Sequence, residues 1–354
     1  MTRRISKAVH ISGLTLGGGA PIVIQSMTNT SPEDFDATLR QVRALKDAGC
    51  DLARLTVPTE AAAKVLGRVR ERVDLPLVAD IHFDYRMALL SMECGADKIR
   101  INPGNLGGRE KLEAVAKKAL ETKTPIRVGI NGGSLEKELL KKYGHPCPEA
   151  LCESALRAAN SLEECGVTDL VLSVKSSDVR MAVKANRLIA NSCDYPLHLG
   201  VTEAGTKHMG TIKSAVGIGS LLLDGIGDTI RVSLTADPVE EIAAAREILD
   251  ACGLSQGGVE IVSCPTCGRT KIDLVALATE LEERIKAEGL VPSRRLKVAV
   301  MGCAVNGPGE AKEADFGIAG GDGEALLFEK GEILKKIPQQ EVVNSLLEKI
   351  RSVC

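Results

Sequence analysis

Lys98-Ile99-Arg100-Ile101-Asn102, then the stretch Arg109 to Glu121, then Pro125-Ile126-Arg127-Val128-Gly129-Ile130: this passage reads as strand, helix, strand. The two short runs are built on Ile and Val, bounded by Pro and Gly, and separated by an amphipathic helical stretch. Two apolar runs joined through a helix make a parallel β–α–β unit, whose strands are covered on both faces. Working outward, the same alternation recurs. Apolar runs lie at Pro21–Met27, Leu52–Val57, Leu75–Ile81, Asp169–Val174, Pro196–Val201 and Thr229–Leu234. Helical stretches lie between them, at Ser31–Ala48, Glu60–Arg72, Pro148–Cys165 and Val179–Asn191, with Ser31, Thr59 and Asp178 as N-caps. Eight such units predict a (β/α)8 TIM barrel; a doubly wound open sheet is the alternative, and the count of eight argues against it.

The barrel is expected over residues 1–252, opened by a hairpin at Gly13 to Gly19 and closed by a helix at Pro238–Ala251. Residues 253–258, Gly-Leu-Ser-Gln-Gly-Gly, read as a linker. Residues 259–354 read as a small α/β domain: strands at Val259–Val262 and Leu296–Met301, a helix at Ile272–Ala287, a hairpin around Gly320–Gly323 and a final helix at Gln340–Ser352.

Composition excludes several classes of function. The net charge of -2 gives no basic field for nucleic acid. Aromatics are 2% and Trp is absent, against base stacking or a membrane belt. No apolar run is long enough to span a bilayer. The N-terminus has charges without an apolar region behind them, so a cytoplasmic location is expected and the 11 cysteines should be mostly reduced. Cys50, Cys94, Cys147, Cys152, Cys165 and Cys193 read as packing positions.

Two groups of residues carry chemistry. At the C-terminal ends of the barrel strands, where TIM-barrel active sites lie, stand Arg54, Asp80, His82, Arg100, Asn102, Arg127, Asn131, Lys175, Thr202, Glu203, Arg231 and Ser233. A strand-end Arg or Lys taken singly is commonly solvated or paired. Five cations around one mouth, opposed by Asp80 and Glu203, call for an anion, and for a diphosphate more than a single phosphate. Glu203 is the candidate for proton transfer.

The second group is Cys264-Pro265-Thr266-Cys267-Gly268 and Met301-Gly302-Cys303, at the ends of two expected strands of the small domain, with Glu310 further along the second loop. Two buried small cysteines are the bland reading of a C-x-x-C pair. Structural zinc is the stronger rival, yet it wants four Cys or His ligands. Three thiolates and a carboxylate suit an iron–sulfur cluster with one exchangeable position better.

These residues together resemble a known family. Gln25-Ser26-Met27-Thr28-Asn29-Thr30, Ala79-Asp80-Ile81-His82-Phe83, Arg100-Ile101-Asn102-Pro103-Gly104-Asn105, Arg127-Val128-Gly129-Ile130-Asn131-Gly132-Gly133-Ser134, Thr202-Glu203-Ala204-Gly205, Cys264-Pro265-Thr266-Cys267 and Asn306-Gly307-Pro308-Gly309-Glu310 are similar to the motifs of the 4-hydroxy-3-methylbut-2-enyl diphosphate synthases, in order and nearly end to end. The resemblance implies the short two-domain form and a 4Fe–4S cluster on Cys264, Cys267, Cys303 and Glu310. It also implies reductive ring opening of 2-C-methyl-D-erythritol 2,4-cyclodiphosphate, with flavodoxin or ferredoxin as electron donor. Val291 to Arg295 departs from the family pattern as a longer surface turn.

The expected assembly is a homodimer. A last helix of this length retraces roughly 20 Å away from the mouth, and a six-residue linker reaches at most about 21 Å. A small domain so tethered reaches a partner's barrel mouth more readily than its own, so the cluster is expected to act in trans, and the family resemblance points the same way.

Overall fold

The computed structural model describes residues 2–255, 257–303 and 313–354. The chain forms two compact units, Met1–Gly253 and Leu254–Cys354.

In the first unit, eight parallel strands make one sheet: β3 (Val23–Met27), β4 (Leu52–Thr56), β5 (Leu77–Asp80), β6 (Lys98–Ile101), β7 (Ile126–Asn131), β8 (Leu170–Lys175), β9 (His198–Leu199) and β10 (Thr229–Ile230). The order is β8-β7-β6-β5-β4-β3-β10-β9, and a parallel bridge between Leu172 and Leu197 joins the two end strands. This is the TIM barrel. β9 and β10 pair over two residues each, shorter than the apolar runs suggest; Pro196, which has no N–H, and Gly200 bracket β9.

The major helices lie between the strands: α1 (Phe35–Asp47), α2 (Glu60–Arg70), α3 (Tyr85–Glu93), α4 (Pro103–Leu106), α5 (Arg109–Thr122), α6 (Lys137–Tyr143), α7 (Pro148–Glu164), α8 (Val179–Ser192), α9 (Lys207–Leu223) and α10 (Pro238–Ala251). Thr59 and Asp178 cap α2 and α8. The first helix starts later than Ser31, because the Asp34 side chain accepts from Ala37 N at 2.9 Å while Ser31 O accepts from Asp34 N in a preceding turn.

Ahead of the barrel strands, β1 (Val9–Ile11) and β2 (Leu14–Leu16) form a hairpin. Its two-residue turn, Ser12-Gly13, has both residues at positive φ, the geometry that matches strand twist. The hairpin therefore precedes Gly17–Gly19 rather than enclosing them. Val9, Ile11 and Leu16 pack with Val23, Leu52, Val78 and Val171, which stand at the starts of their strands. The hairpin thus plugs the N-terminal end of the barrel and leaves the C-terminal end as its mouth.

In the second unit, β11 (Gly258–Ser263), β12 (Arg295–Met301) and β13 (Phe316–Gly320) run parallel, and β14 (Glu324–Glu329) and β15 (Glu332–Pro338) add antiparallel. The turn at Gly321–Gly323 joins β13 to β14. Helices α11 (Leu274–Ala287) and α12 (Val342–Arg351) bury Leu277, Leu281, Leu346 and Ile350 against Leu296, Val298 and Ile318. Among the described residues no helix is long and apolar enough to cross a membrane.

Candidate active site

The barrel mouth is a cleft lined by Arg54, Arg100, Arg127, Gly129, Asn131, Ser173, Lys175, Thr202, Arg231 and Ser233. Strand register puts these on one face: Arg100 pairs with Arg127, Gly129 with Ser173, and Asn131 with Lys175, and parallel partners project to the same side. All five strand-end cations therefore meet.

Space for them comes from two glycines. A Cβ on Gly129 would lie 2.6 Å from Arg100 Nε, and one on Gly200 would lie 2.5 Å from Lys175 Nζ and 2.7 Å from the Arg231 carbonyl oxygen. Without side chains there, the Arg100 guanidinium lies across β7, donating to Gly129 O at 3.3 Å, and the Lys175 amine lies across β9.

Two carboxylates hold the arginines. Asp80 is 1% exposed and faces Arg54 at 3.6 Å, Arg100 at 3.3 Å and His82 at 3.8 Å. Burial alone pushes its carboxyl up, but Arg54, Arg100 and His82 outweigh that and hold it below the usual carboxylate range. Burial lowers the Arg54 guanidinium to about 10, partly offset by Asp80. The second carboxylate is Glu241, from α10, which the sequence reading did not select. Its Oε2 accepts from Ser26 Oγ at 2.8 Å and Arg231 Nε at 3.2 Å; its Oε1 accepts from Arg231 Nη2 at 3.2 Å and Leu234 N at 3.1 Å. Its signal was present: Pro238, Glu241, Ala245 and Ile248 form the buried stripe of α10, where an acid needs a partner. Lys175 is buried, and burial followed by Arg127 and Arg231 pushes its amine well below the usual range.

The remaining predicted residues stand apart from the cleft lining. His82 is at the rim, 49% exposed, beside Phe83. Asn102 is buried and its Oδ1 caps Gly104 N at 3.2 Å, opening α4. Glu203 follows β9 on an exposed loop at φ +46°, a left-handed conformation that costs a non-glycine residue roughly 1 kcal/mol or more. Among the described residues it is in no ion pair, so Glu241 takes the opposing role that the sequence reading gave to Glu203.

In the second unit, Cys264 follows β11 and Cys303 follows β12, and these neighbouring strands pair in parallel through Ser263 and Val300. Their ends are tied together. Gly302 N donates to Cys264 Sγ at 3.3 Å, and Lys271 N donates to Gly302 O at 2.9 Å. Cys267 is exposed, and hydrogen bonds from the Arg269 backbone lead the effects that lower its thiol below the usual range. All three thiols are free. Glu310 lies outside the described residues, and among those described no three His, Cys, Asp or Glu side chains are already grouped to hold a metal ion.

Fold and site together define a TIM-barrel protein with a cation-lined mouth, followed by an α/β domain that carries cysteines at one sheet end. Residues 6–246 match the GcpE TIM-barrel domain, and residues 260–352 match the GcpE protein C-terminal domain. The chain belongs to the GcpE family. It is 54% identical to a relative from Fusobacterium nucleatum over 98% of this chain and 97% of that one. It is 53% identical to one from Clostridium perfringens over 100% of both. Both relatives are named 4-hydroxy-3-methylbut-2-en-1-yl diphosphate synthase (flavodoxin). Among solved structures, the dihydropteroate synthase of Vibrio fischeri shares the fold with TM-score 0.53 at 14% identity, over 71% of this chain and 100% of that one. The N-acetylneuraminic acid synthetase of Leptospira borgpetersenii does so with TM-score 0.52 at 14% identity, over 81% and 98%.

Proposed function

We propose that this chain catalyses the reductive ring opening and dehydration of 2-C-methyl-D-erythritol 2,4-cyclodiphosphate to 4-hydroxy-3-methylbut-2-enyl diphosphate, in isoprenoid precursor biosynthesis. Two electrons and two protons enter and one water leaves. Flavodoxin is the electron donor named for the relatives, with ferredoxin the other low-potential candidate. The reaction is cytoplasmic in this reading.

The observation that carries the reading is the mouth: four arginines and Lys175 converge on one cleft, with Asp80 and Glu241 opposing them. That surplus of positive charge is complementary to a cyclic diphosphate, and charge-assisted bonds from Arg127 and Lys175 contribute about 1.5–3 kcal/mol each. Arg54, Arg100 and Arg231 stabilise the charge that develops on the diphosphate as the ring opens. Asn131, Thr202 and Ser233 orient the substrate through hydrogen bonds from the same cleft, His82 shapes its rim, and Asn102 completes the set of substrate residues. Glu203 moves the proton, from the exposed loop that follows β9.

The donor set fits a 4Fe–4S cluster. Of three reduced thiols, Cys264 and Cys303 sit at adjoining strand ends and Cys267 in the loop after β11; one accepts a backbone N–H as cluster sulfurs do, and one has a lowered thiol pKa. Cys264, Cys267, Cys303 and Glu310 would hold it. When bound, it supplies electrons one at a time and a Lewis-acidic iron. The assembly is a homodimer with the cluster of one chain serving the barrel of the other. Its support is α10, which runs back from the mouth, and the few residues between Ala251 and Gly258.

Anaerobic purification followed by an optical spectrum and turnover with reduced flavodoxin tests the reading. Brown protein that forms the diphosphate product is expected. Colourless protein containing zinc, without turnover, overturns it in favour of a non-redox barrel enzyme acting on a phosphorylated substrate, with a structural zinc domain.

A further inference from the structure

Below the mouth, the barrel interior holds a second polar layer, of which the proposed reaction uses only Arg127. Register fixes its direction. Val23, Val78 and Val171 face inward onto the hairpin plug. Thr229 pairs with Val23 and with His198, Lys98 pairs with Val78, and Arg127 pairs with Val171. Thr229, His198, Lys98 and Arg127 therefore share that inner face, and Gln25, two residues after Val23, joins them. None of the five is more than 2% exposed, and Arg127 and Lys98 are the largest fully buried side chains among the described residues.

Lys98 Nζ, Arg127 Nε, His198 Nε2 and both amide atoms of Gln25 are buried without a hydrogen-bond partner among the described residues. The other imidazole nitrogen, His198 Nδ1, stands 3.4 Å from Thr229 Oγ1. If Thr229 donates there, Nε2 carries the proton. The charges facing Lys98 are Arg127 and Arg54, and those facing His198 are Lys175, Arg127, Lys98 and Arg54. No carboxylate is among them; Asp80 and Glu241 are committed to the arginines above.

Such a lining discriminates between occupants. A buried unpaired donor costs about 1–3 kcal/mol, so this many cannot stand idle. Water filling the layer must also donate, and with His198 Nε2 protonated, Gln25 Oε1 is the one unpartnered side-chain acceptor of this face among the described residues. An anion accepts from every donor and offsets positive charge that Asp80 meets only at Arg127 and the arginines above it.

We propose that the barrel interior encloses a second anion site, between the hairpin plug and the mouth, which takes a small monovalent anion of the chloride class held by Lys98 Nζ, Arg127 Nε, His198 Nε2 and Gln25 Nε2. Its occupant keeps Arg127 charged and in place when the mouth is empty. The site is independent of the substrate assigned above and stands if the mouth serves another anion.

The test uses the intact holoenzyme, crystallised without halide and soaked in sodium bromide, with anomalous diffraction at the bromine edge. Bromide within hydrogen-bond distance of Lys98 Nζ and His198 Nε2 is expected. Bromide confined to the mouth or surface, as an adventitious ion only, with water in the inner layer, overturns the proposal. In solution, thermal unfolding is compared in sodium chloride and sodium gluconate at equal ionic strength. A native-state site raises the unfolding temperature with chloride alone, and Lys98→Met abolishes that rise. Equal curves in the two salts, or a chloride response that survives in Lys98→Met, overturn it. If Lys98→Met does not fold, His198→Asn carries the same comparison.

Discussion

Gly200→Ala should disarm two cations of the mouth with one methyl group. The added Cβ would lie 2.5 Å from Lys175 Nζ, 3.0 Å from Lys175 Cε and 2.7 Å from the Arg231 carbonyl oxygen. Ordinary contact begins near 3.4 Å, so the amine must withdraw by roughly 1 Å, a displacement of the size that costs large factors in a positioned site. The Arg231 carbonyl belongs to backbone and cannot swing away, so β10 must shift as well. Overpacking of this kind costs about 1–3 kcal/mol of stability, which a barrel of this size tolerates. Loss of one charge-assisted bond is about 1.5–3 kcal/mol, or roughly 10–150-fold in affinity. The assay is calorimetric titration with inorganic diphosphate, beside circular dichroism to verify folding. In a Lys175→Ala background the same substitution should cost much less, because its main victim is already gone. A folded Gly200→Ala protein that binds diphosphate like the wild type refutes the geometry. Full additivity with Lys175→Ala refutes the claim that Lys175 transmits the effect.

Other outcomes follow from the same geometry. Glu241→Gln must set an amide N–H against a donor of Arg231 and leave a guanidinium that is only 16% exposed without its carboxylate, so chemical denaturation should show a loss of about 2–4 kcal/mol. The Asp80 carboxyl is depressed in the folded state, so its contribution is present above the ordinary carboxylate value and is lost as pH falls through its lower folded value. Wild type should lose stability steeply below about pH 4, and Asp80→Asn should show a shallower acid limb in pH-dependent unfolding. Cys264→Ser, Cys267→Ser and Cys303→Ser should each remove iron and turnover while far-ultraviolet dichroism stays unchanged; full iron in any of them removes that residue from the ligand set. Mixing Cys267→Ser chains with Glu203→Ala chains should restore part of the activity on subunit exchange, and no recovery after verified exchange places the cluster in cis.

The barrel was legible because buried parallel strands must be apolar on both faces, and short Val, Ile and Leu runs recurring between helices leave few alternatives. The mouth was legible because strand ends project polar residues in a known direction, and the paired register of Arg100 with Arg127 turns that pattern into a cleft. Glu241 was not selected because it sits inside a helix, where attention to strand ends does not reach. Lys98 was overlooked for a related reason: it opens a strand, yet in Lys98-Ile99-Arg100 the two cations share the inward face, so the polar layer extends deeper than the mouth. In the second unit, β15 escaped notice because Glu332-Ile333-Leu334-Lys335-Lys336 has no one-sided apolar pattern. It is an edge strand, and its lysines discourage pairing with other chains.

The hairpin at the bottom of the barrel has a consequence for timing. With Val9, Ile11 and Leu16 packed against Val23, Leu52, Val78 and Val171, the interior is a vessel closed at its base, with the mouth as its neck. Anything that enters or leaves the inner layer, whether an ion, a water molecule or a proton, must pass the ring of arginines. A diphosphate seated there acts as a stopper, so the contents of the vessel are fixed for as long as the ligand stays. Exchange with solvent then runs at the rate of ligand departure, and a tighter ligand makes for a longer-sealed interior.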